Sequence, residues 1–249
     1  MVVRFEDVGF DRGGERTILA GLTLAVDSGE IVAIVGRSGV GKTTLLKLVN
    51  RLLLPTSGAV FVDGRDTREW DGIRLRRHIG YVFQEIGLFP HMTVEDNVAV
   101  VPRLEHWPAD RIRSRVSELL SLVGLGTGDF GARRPHELSG GQRQRVGLAR
   151  ALAADPRMLL MDEPFGALDP VTRVEIRREF KRIHAQLRMT VILVTHDIAE
   201  AFALADRVGV IADGTLITLG APAAVRTADD PRVRALVDTV PVLSPTMVP

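Results

Sequence analysis

A glycine-rich loop between an apolar strand pattern and a helical pattern constrains this chain more than any other feature. Residues 36–43 read GRSGVGKT, which fits the pattern G-x-x-x-x-G-K-[ST]. The β-branched run Ile31–Val35 precedes the loop, and a leucine-rich helical pattern follows it from Thr43 to Arg51. A continuous apolar run of this kind is typical of a parallel strand that is buried on both faces. The order strand, loop, helix therefore predicts a phosphate-binding loop in an α/β fold.

The residue types of this loop suit a triphosphate. Its glycines let the backbone turn tightly and direct N–H groups at phosphate oxygens. The helix that follows presents its positive end to the same anion. We expect Lys42 to supply a point charge to the β and γ phosphates, and Thr43 to offer its hydroxyl to Mg²⁺.

Two further motifs lie far along the chain. Residues 138–142 read LSGGQ, and the apolar strand pattern Met158–Met161 is followed by Asp162 and Glu163. Two acids after a strand are usually a solvated turn. A carboxylate at the C-terminal edge of a strand also lies where ligands bind in open α/β sheets. The glycine-rich motifs upstream favour the second interpretation.

Together these motifs resemble the nucleotide-binding subunits of ATP-binding cassette (ABC) transporters, and the resemblance covers nearly the whole chain. It implies that Asp162 holds Mg²⁺ and that Glu163 is the base that polarises the attacking water. His196, which follows an apolar strand, matches the family's histidine that contacts the γ-phosphate. Gln84 matches the family's glutamine that reaches Mg²⁺ and senses the partner.

The family usually stacks adenine on an aromatic residue upstream of the phosphate loop. This chain has Arg12 at that place, with Phe10 two residues earlier. A guanidinium plane can stack on a base, so either residue remains a candidate for the adenine contact. The resemblance thus implies catalytic residues Glu163 and His196, metal-binding residues Thr43, Gln84 and Asp162, and ATP-binding residues Arg12, Gly36, Ser38, Gly39, Gly41, Lys42, Thr43, Thr44 and Gln84.

The LSGGQ motif is the most discriminating of these signals. Ser139, Gly140 and Gly141 would begin a helix whose N-terminus can cap a γ-phosphate. The resemblance implies that this phosphate belongs to a second copy of the chain, so that these residues and Gln142 act in trans. Asp169 is then expected to cross the same interface. The implied assembly is a homodimer with two ATP molecules bound head to tail.

Local patterns mark elements outside these motifs. Residues 4–8 and 22–26 alternate between apolar and polar side chains, as half-buried strands do, and the sequence from Thr93 to Asp96 can cap the start of a helix.

The order of strand and helix patterns predicts one α/β domain. We expect a RecA-like P-loop NTPase core with a mostly parallel sheet, an N-terminal antiparallel β subdomain and an inserted α-helical subdomain at about residues 90–155. Residues 1–240 would form a single nucleotide-binding domain, and residues 241–249 a flexible tail. The helical pattern at 171–187 places four apolar residues on one stripe, namely Ile176, Phe180, Ile183 and Leu187.

Composition limits the partners. The net charge is +1, so no bulk field attracts nucleic acid, and the chain has no cysteine for disulfides or thiolate metal sites. No stretch approaches the ~20 apolar residues that cross a bilayer. Any membrane role must therefore go through a partner. The resemblance implies a peripheral protein on the cytoplasmic face of the inner membrane, whose partners are integral membrane permease subunits and an extracytoplasmic solute-binding protein.

Residues 50–58, 86–93 and 135–137 resemble importers of osmoprotectants such as glycine betaine or choline. ATPases of that group often carry a C-terminal pair of regulatory CBS domains, which we expect this chain to lack. A lipid-trafficking ABC ATPase is an alternative, because the stretches at 12–13 and 230–234 resemble that group too. An amino-acid importer ATPase is also possible.

Rival functions of other classes fit less well. A soluble ABC ATPase acting on DNA or ribosomes is disfavoured by the near-neutral charge, by the single phosphate loop and by the absence of a long heptad run. A P-loop kinase would not need the motif at 138–142.

Overall fold

The computed structural model describes residues 2–14 and 16–239 of the chain. The predicted tail at 241–249 lies outside these residues. The strands are β1 (Val3–Arg12), β2 (Arg16–Val26), β3 (Ile31–Val35), β4 (Ser57–Val62), β5 (Arg65–Asp66), β6 (Ile79–Val82), β7 (Met158–Asp162), β8 (Thr190–Thr195), β9 (Arg207–Ala212) and β10 (Thr215–Gly220). The α-helices are α1 (Lys42–Val49), α2 (Gly72–Arg77), α3 (Val94–Leu104), α4 (Ala109–Leu122), α5 (Thr127–Phe130), α6 (Gly140–Leu152), α7 (Pro170–Leu187), α8 (Ile198–Leu204), α9 (Pro222–Arg226) and α10 (Pro231–Val237).

A six-stranded sheet in the order β10-β9-β3-β8-β7-β6 forms the centre of the molecule. Its strands pair in parallel except for β9 and β10, which form an antiparallel hairpin. Along β3, Val32 and Ile34 face one apolar core while Ala33 and Val35 face another. Because both faces are covered, the central strands are continuous apolar runs. The predicted α/β fold with a mostly parallel sheet is confirmed.

A second, antiparallel sheet has the order β2-β1-β4-β5. Its first two strands are longer than the alternating patterns at 4–8 and 22–26 indicated, and β1 shifts register against β2 at several points. Phe5 and Leu22 of this sheet pack with Leu45 and Leu46 of α1 on one face of the central sheet. This packing fixes the β1–β2 hairpin beside the phosphate loop.

The other face of the central sheet is covered by helices. Val98 of α3, Leu119 of α4 and Val146 of α6 are fully buried there. Thr93 caps α3 as the sequence predicted, since its Oγ1 accepts a hydrogen bond from the Asp96 N–H at 3.1 Å. Among the described residues, no helix is both long enough and apolar enough to span a bilayer.

Helix α7 departs from the predicted stripe at its end. Ile176, Phe180 and Ile183 are buried, but Leu187 is 40% exposed, so the apolar stripe extends beyond the buried part of the helix. Leu187 is the last residue of the helix, and the chain turns away at Arg188 with φ 48°. The helical period continues to Leu187, but the core that the stripe faces ends one turn earlier.

Candidate functional site

The phosphate loop connects β3 to α1 at the carboxyl end of the central sheet. Gly36 lies so close to β9 that a Cβ there would be 2.4 Å from the carbonyl oxygen of Ile211. Gly41 precedes α1 with φ 104°, a conformation that residues with a side chain rarely adopt. These two glycines let the loop turn back over the start of α1, where the free N–H groups of the helix point outward.

Lys42 is nearly inaccessible to water, with 5% of its surface exposed. Its Nζ donates hydrogen bonds to the carbonyl oxygens of Gly36 at 2.8 Å and Arg37 at 3.0 Å. The same Nζ lies 3.9 Å from Glu163 Oε1. Burial lowers the pKa of Lys42, and the nearby carboxylates of Glu163 and Asp162 oppose that change. The ammonium group of Lys42 is therefore held by the loop and shielded from solvent.

Asp162 ends β7 and meets the phosphate loop. Thr43 Oγ1 donates to Asp162 Oδ1 at 3.1 Å, and the Tyr81 hydroxyl donates to Oδ2 at 3.4 Å. Burial raises the pKa of Asp162, while the Thr43 hydrogen bond lowers it. Burial also raises the pKa of Tyr81, so its phenol remains a donor. The sequence analysis missed Tyr81, although it is the only tyrosine and lies in the strand that leads to Gln84.

The oxygens of Thr43 and Asp162 fit Mg²⁺. Mg²⁺ prefers hard oxygen ligands and usually binds one or two carboxylates together with water and substrate phosphates. A site of this kind does not need a cage made of protein ligands. The described residues contain no cluster of three or more His, Cys, Asp or Glu side chains that could hold a metal.

Glu163 follows Asp162 in a left-handed conformation with φ 43°. Its N–H donates to the carbonyl oxygen of Val194 at 2.9 Å, which anchors the turn to β8. Its Oε2 lies 2.9 Å from His196 Nδ1. The carboxylate thus lies between Lys42 and the imidazole, and 61% of the His196 side chain is exposed at the mouth of the site. Non-glycine residues in this backbone region concentrate at functional sites.

Lys42, Thr43, Glu163 and His196 line one cleft of about 780 Å³, whereas Asp162 is not among its lining residues and meets it through the hydrogen bond from Thr43. It brings together most of the predicted ATP-binding residues, including Gln84, whose side chain is exposed. Arg12 and Arg16 lie opposite each other on β1 and β2 at one wall. Residues that the sequence analysis did not assign also line the cleft, namely Arg16, Ile18, Lys47 and Leu53. Strand pairing and the turn of α1 place them there, and no local motif marks them.

The LSGGQ residues do not line this cleft. Ser139 caps α6 in a reciprocal arrangement: its Oγ accepts from the Gln142 N–H at 3.2 Å, and Gln142 Oε1 accepts from the Ser139 N–H at 2.9 Å. Ser139 is exposed. A Cβ at Gly141 would lie 2.7 Å from Thr172 Cγ2, so α6 begins against α7. Asp169 is also exposed and caps α7 by accepting from the Thr172 N–H at 3.0 Å.

Comparisons with known proteins agree with this geometry. Residues 19–166 match the family described as ABC transporter. A glycine betaine/carnitine/choline transport ATP-binding protein of Bacillus subtilis is 48% identical over 211 residues, which is 85% of this chain and 55% of that protein. The chain spans about half the length of the curated relatives it matches first.

Solved structures show the same fold. CbiO1 from Clostridium perfringens, part of an ABC transporter complex, superposes with a TM-score of 0.83 and 32% identity over 90% of each chain. A dimeric ATP-binding cassette in a post-hydrolysis state with bound ADP and Pi gives a TM-score of 0.77 and 34% identity, covering 88% of this chain and 98% of that one. The matched residues include the phosphate loop, the LSGGQ helix and the Asp162–Glu163 edge together, and the chain therefore belongs to the ABC transporter family and carries its ATP-binding cassette.

Proposed function

We propose that this chain is the ATP-hydrolysing subunit of a membrane transporter. One observation carries the proposal: a single cleft holds a buried lysine and a glutamate–histidine pair, and the Thr43 hydroxyl that lines it is bonded to the buried carboxylate of Asp162. Lys42 lies 3.9 Å from Glu163, and His196 lies 2.9 Å from the other oxygen of that carboxylate. A base and a phosphate-binding cation side by side are what phosphoryl transfer to water requires.

In the proposed reaction, the N–H groups of the loop and Lys42 bind the β and γ phosphates. Thr43, Asp162 and Gln84 would hold Mg²⁺, which when bound would offset the negative charge of the phosphates. Glu163 accepts a proton from the water that attacks the γ phosphorus, and the bond to the bridging oxygen of ADP breaks. His196 orients Glu163 through its hydrogen bond and reaches the γ-phosphate from the mouth of the cleft.

The site is proposed to be completed by a second copy of the chain. The N-terminus of α6, with Ser139, Gly140, Gly141 and Gln142, does not line the cleft of its own chain, and Ser139 is exposed to solvent. A helix N-terminus binds anions, so it can cap the γ-phosphate in a partner's cleft. A twofold dimer would pair both clefts in this way, with Asp169 at the interface. The related cassette with ADP and Pi was itself solved as a dimer.

A permease is the proposed membrane partner. An apolar groove of about 540 Å³ lies between α2, α3, α6 and the segment after β6. Leu52, Phe83 and Phe89 line it with 54%, 46% and 40% of their surfaces exposed. Apolar patches of this kind mark protein interaction sites. We propose that a helix of the permease docks there on the cytoplasmic face of the membrane.

The proposed cargo is an osmoprotectant such as glycine betaine or choline, taken up with the help of an extracytoplasmic solute-binding protein. The Bacillus subtilis relative named for glycine betaine, carnitine and choline supports this choice. The stretches at 50–58, 86–93 and 135–137, which resemble importers of the same group, agree with it. No role in nucleic-acid binding is proposed.

Glu163→Gln tests the reaction. The amide keeps the size of the side chain but cannot accept the proton, so phosphate release should fall at least about 100-fold while ATP binding persists. The variant should form a lasting dimer with ATP and Mg²⁺, which light scattering after gel filtration would detect. Glu175→Gln, on the exposed side of α7, is the matched control. Undiminished phosphate release would remove Glu163 from the role of base.

Uptake of radiolabelled glycine betaine and choline tests the cargo. Cells that lack the gene should lose uptake, the unaltered gene should restore it, and a Lys42→Ala gene should not. Unchanged uptake of both compounds in the deletion strain, with loss of amino-acid uptake, would instead support the amino-acid importer.

A further inference from the structure

Arg150 on α6 is a buried cation that bonds to a backbone turn. It is 9% exposed, and its Nη1 and Nη2 donate to the carbonyl oxygens of Gly87 and Ile86, each at 2.6 Å. Burial lowers the pKa of Arg150, and no carboxylate of the described residues offsets that burial. A guanidinium remains charged in proteins. The carbonyl dipoles of the turn therefore balance the charge of Arg150. The same two hydrogen bonds attach the turn to α6.

The turn that Arg150 holds is strained. Ile86 has φ 60° and Gly87 has φ 58°, both left-handed. A β-branched residue in this region is an outlier, which persists only where its surroundings enforce it. Gly147, one turn before Arg150 on α6, provides the space: a Cβ there would lie 3.0 Å from Ile86 Cγ2. One face of α6 thus receives the side chain of Ile86 and binds the two carbonyls.

The turn lies between the nucleotide cleft and the apolar groove. Gln84, two residues before Ile86, lines the cleft, whereas Gly87, Phe89 and Arg150 itself line the groove. Further along, Asn97 Oδ1 accepts from the Phe89 N–H at 2.8 Å, and its Nδ2 donates to the Phe89 carbonyl at 3.1 Å. The segment is therefore fixed on the groove side of Gln84 by two buried polar side chains.

We infer that Arg150 is a positioning residue for Gln84. This inference rests on the proposed ATPase function, because Gln84 acts there on Mg²⁺. Arg150 determines where Gln84 lies at the cleft by fixing the turn two residues later to α6. The same helix carries Ser139 at its other end, about 16 Å away at 1.5 Å per residue. A shift of α6, or an occupant of the groove that touches Arg150, then changes the position of Gln84.

Kinetics of Arg150→Met test the inference. We expect kcat to fall about tenfold with KM for ATP within about twofold, because Gln84 would be misplaced while the phosphate loop stays intact. The kcat of Arg150→Lys should lie between that of Arg150→Met and that of the parent, since a point charge cannot bond both carbonyls as the planar guanidinium does.

Arg145→Met is the matched control on the same helix. Arg145 donates to the Val123 carbonyl at 2.8 Å and pairs with Glu179, and it makes no hydrogen bond to the turn. The substitution Arg145→Met should lower thermal stability but leave kcat within about twofold of the parent value. An equal loss of kcat in Arg145→Met and Arg150→Met would reduce Arg150 to a general structural role and overturn the inference.

A double-mutant cycle separates positioning from general damage. If Arg150 acts through Gln84, the pair Gln84→Ala and Arg150→Met should lose no more kcat than Gln84→Ala alone. Losses that multiply would show that Arg150 acts independently of Gln84, and the inference would fail.

A readout without catalysis keeps the two proposals distinguishable. The chain has no cysteine, so Glu85→Cys places a unique spin label beside Gln84. Arg150→Met should sharpen the electron paramagnetic resonance lines of this label, and Arg145→Met should not. Unchanged lines in Arg150→Met would overturn the inference even with normal ATP hydrolysis. Sharpened lines in a chain that hydrolyses no ATP would uphold the attachment of the turn while the proposed function fails.

If Arg150→Met does not fold, Gly147→Ala takes its place, since its methyl group displaces Ile86 and should sharpen the same lines.

Discussion

At the scale of single residues, the cleft combines two kinds of environment. Lys42 and Asp162 are 5% and 8% exposed, so the charges that meet phosphate and Mg²⁺ act with little solvent screening. His196 and Gln84 are exposed and line the same cleft. Buried charges that are fixed in place stabilise the charge that develops in a transition state, whereas exposed groups remain accessible to a partner.

Glu200 in α8 is a buried carboxyl outside this site, 2% exposed. Burial and the neighbouring Asp197 raise its pKa to about 7 from 4.5, although Arg173 and Arg177 on α7 oppose the change. The folded chain therefore binds this proton more tightly than the unfolded chain. The resulting stability is complete below about pH 4.5 and is lost as the pH rises through about 7, which amounts to roughly 3 kcal/mol.

Glu200→Gln removes that titration and keeps the shape of the side chain. Relative to the parent, the variant should gain free energy of unfolding at pH 8 and gain little at pH 5. Urea unfolding at both pH values, followed by circular dichroism, measures the difference, with Glu175→Gln as the exposed control. A gain of the same size at both pH values would show that Glu200 does not titrate in this range.

At the scale of elements, the local sequence pattern determines some features and tertiary contacts determine others. Thr93 and Ser139 cap α3 and α6 as their local sequences predicted, because capping depends on residues within one turn. Strands β1 and β2 extend beyond their alternating patterns since pairing with each other and with β4 supports polar residues on the exposed face. The end of the buried stripe on α7 depends on where the core ends. The helical period of the sequence carries no information about that position.

Two substitutions on α7 measure how its burial differs along one helix. Phe180 is fully buried, so Phe180→Ala should cost about 3–5 kcal/mol of unfolding free energy. Leu187→Ala, at the exposed end of the same helix, should cost less than about 1 kcal/mol. Urea unfolding at one pH compares them, and similar losses would contradict the position of Leu187 outside the core.

At the scale of the whole molecule, one chain holds the parts of a nucleotide site on two separate surfaces. The cleft holds most of the phosphate loop and Glu163, while Ser139 at the start of α6 is exposed and does not line the cleft. In the proposed dimer, each ATP bridges a cleft and the α6 N-terminus of the other chain. Hydrolysis then weakens that bridge and lets the dimer reopen, which couples the chemistry to movement at the groove.

Mixing two inactive variants tests whether the sites are shared. Lys42→Ala and Ser139→Arg should each hydrolyse little ATP alone. In a mixed dimer one site keeps both Lys42 and Ser139, so random pairing should restore about a quarter of the parent activity per chain if the sites act independently. Mixing Lys42→Ala with the double variant Lys42→Ala/Ser139→Arg should restore nothing. Failure of the first mixture to recover would favour sites that are complete within each chain.

The sequence by itself determined the class of fold and the centre of the site. A β-branched run, a glycine-rich loop and a helix are local features, and the acids at 162 and 163 end an apolar strand pattern, so short-range periodicity was sufficient to predict where phosphate would bind. Only the tertiary structure decided which distant side chains join them. Tyr81 reaches Asp162 because β6 lies beside β7, and Arg150 reaches the turn after Gln84 because α6 packs over β6. Contacts between segments far apart in the chain depend on how elements stack, and the pattern within any one element carries no information about them.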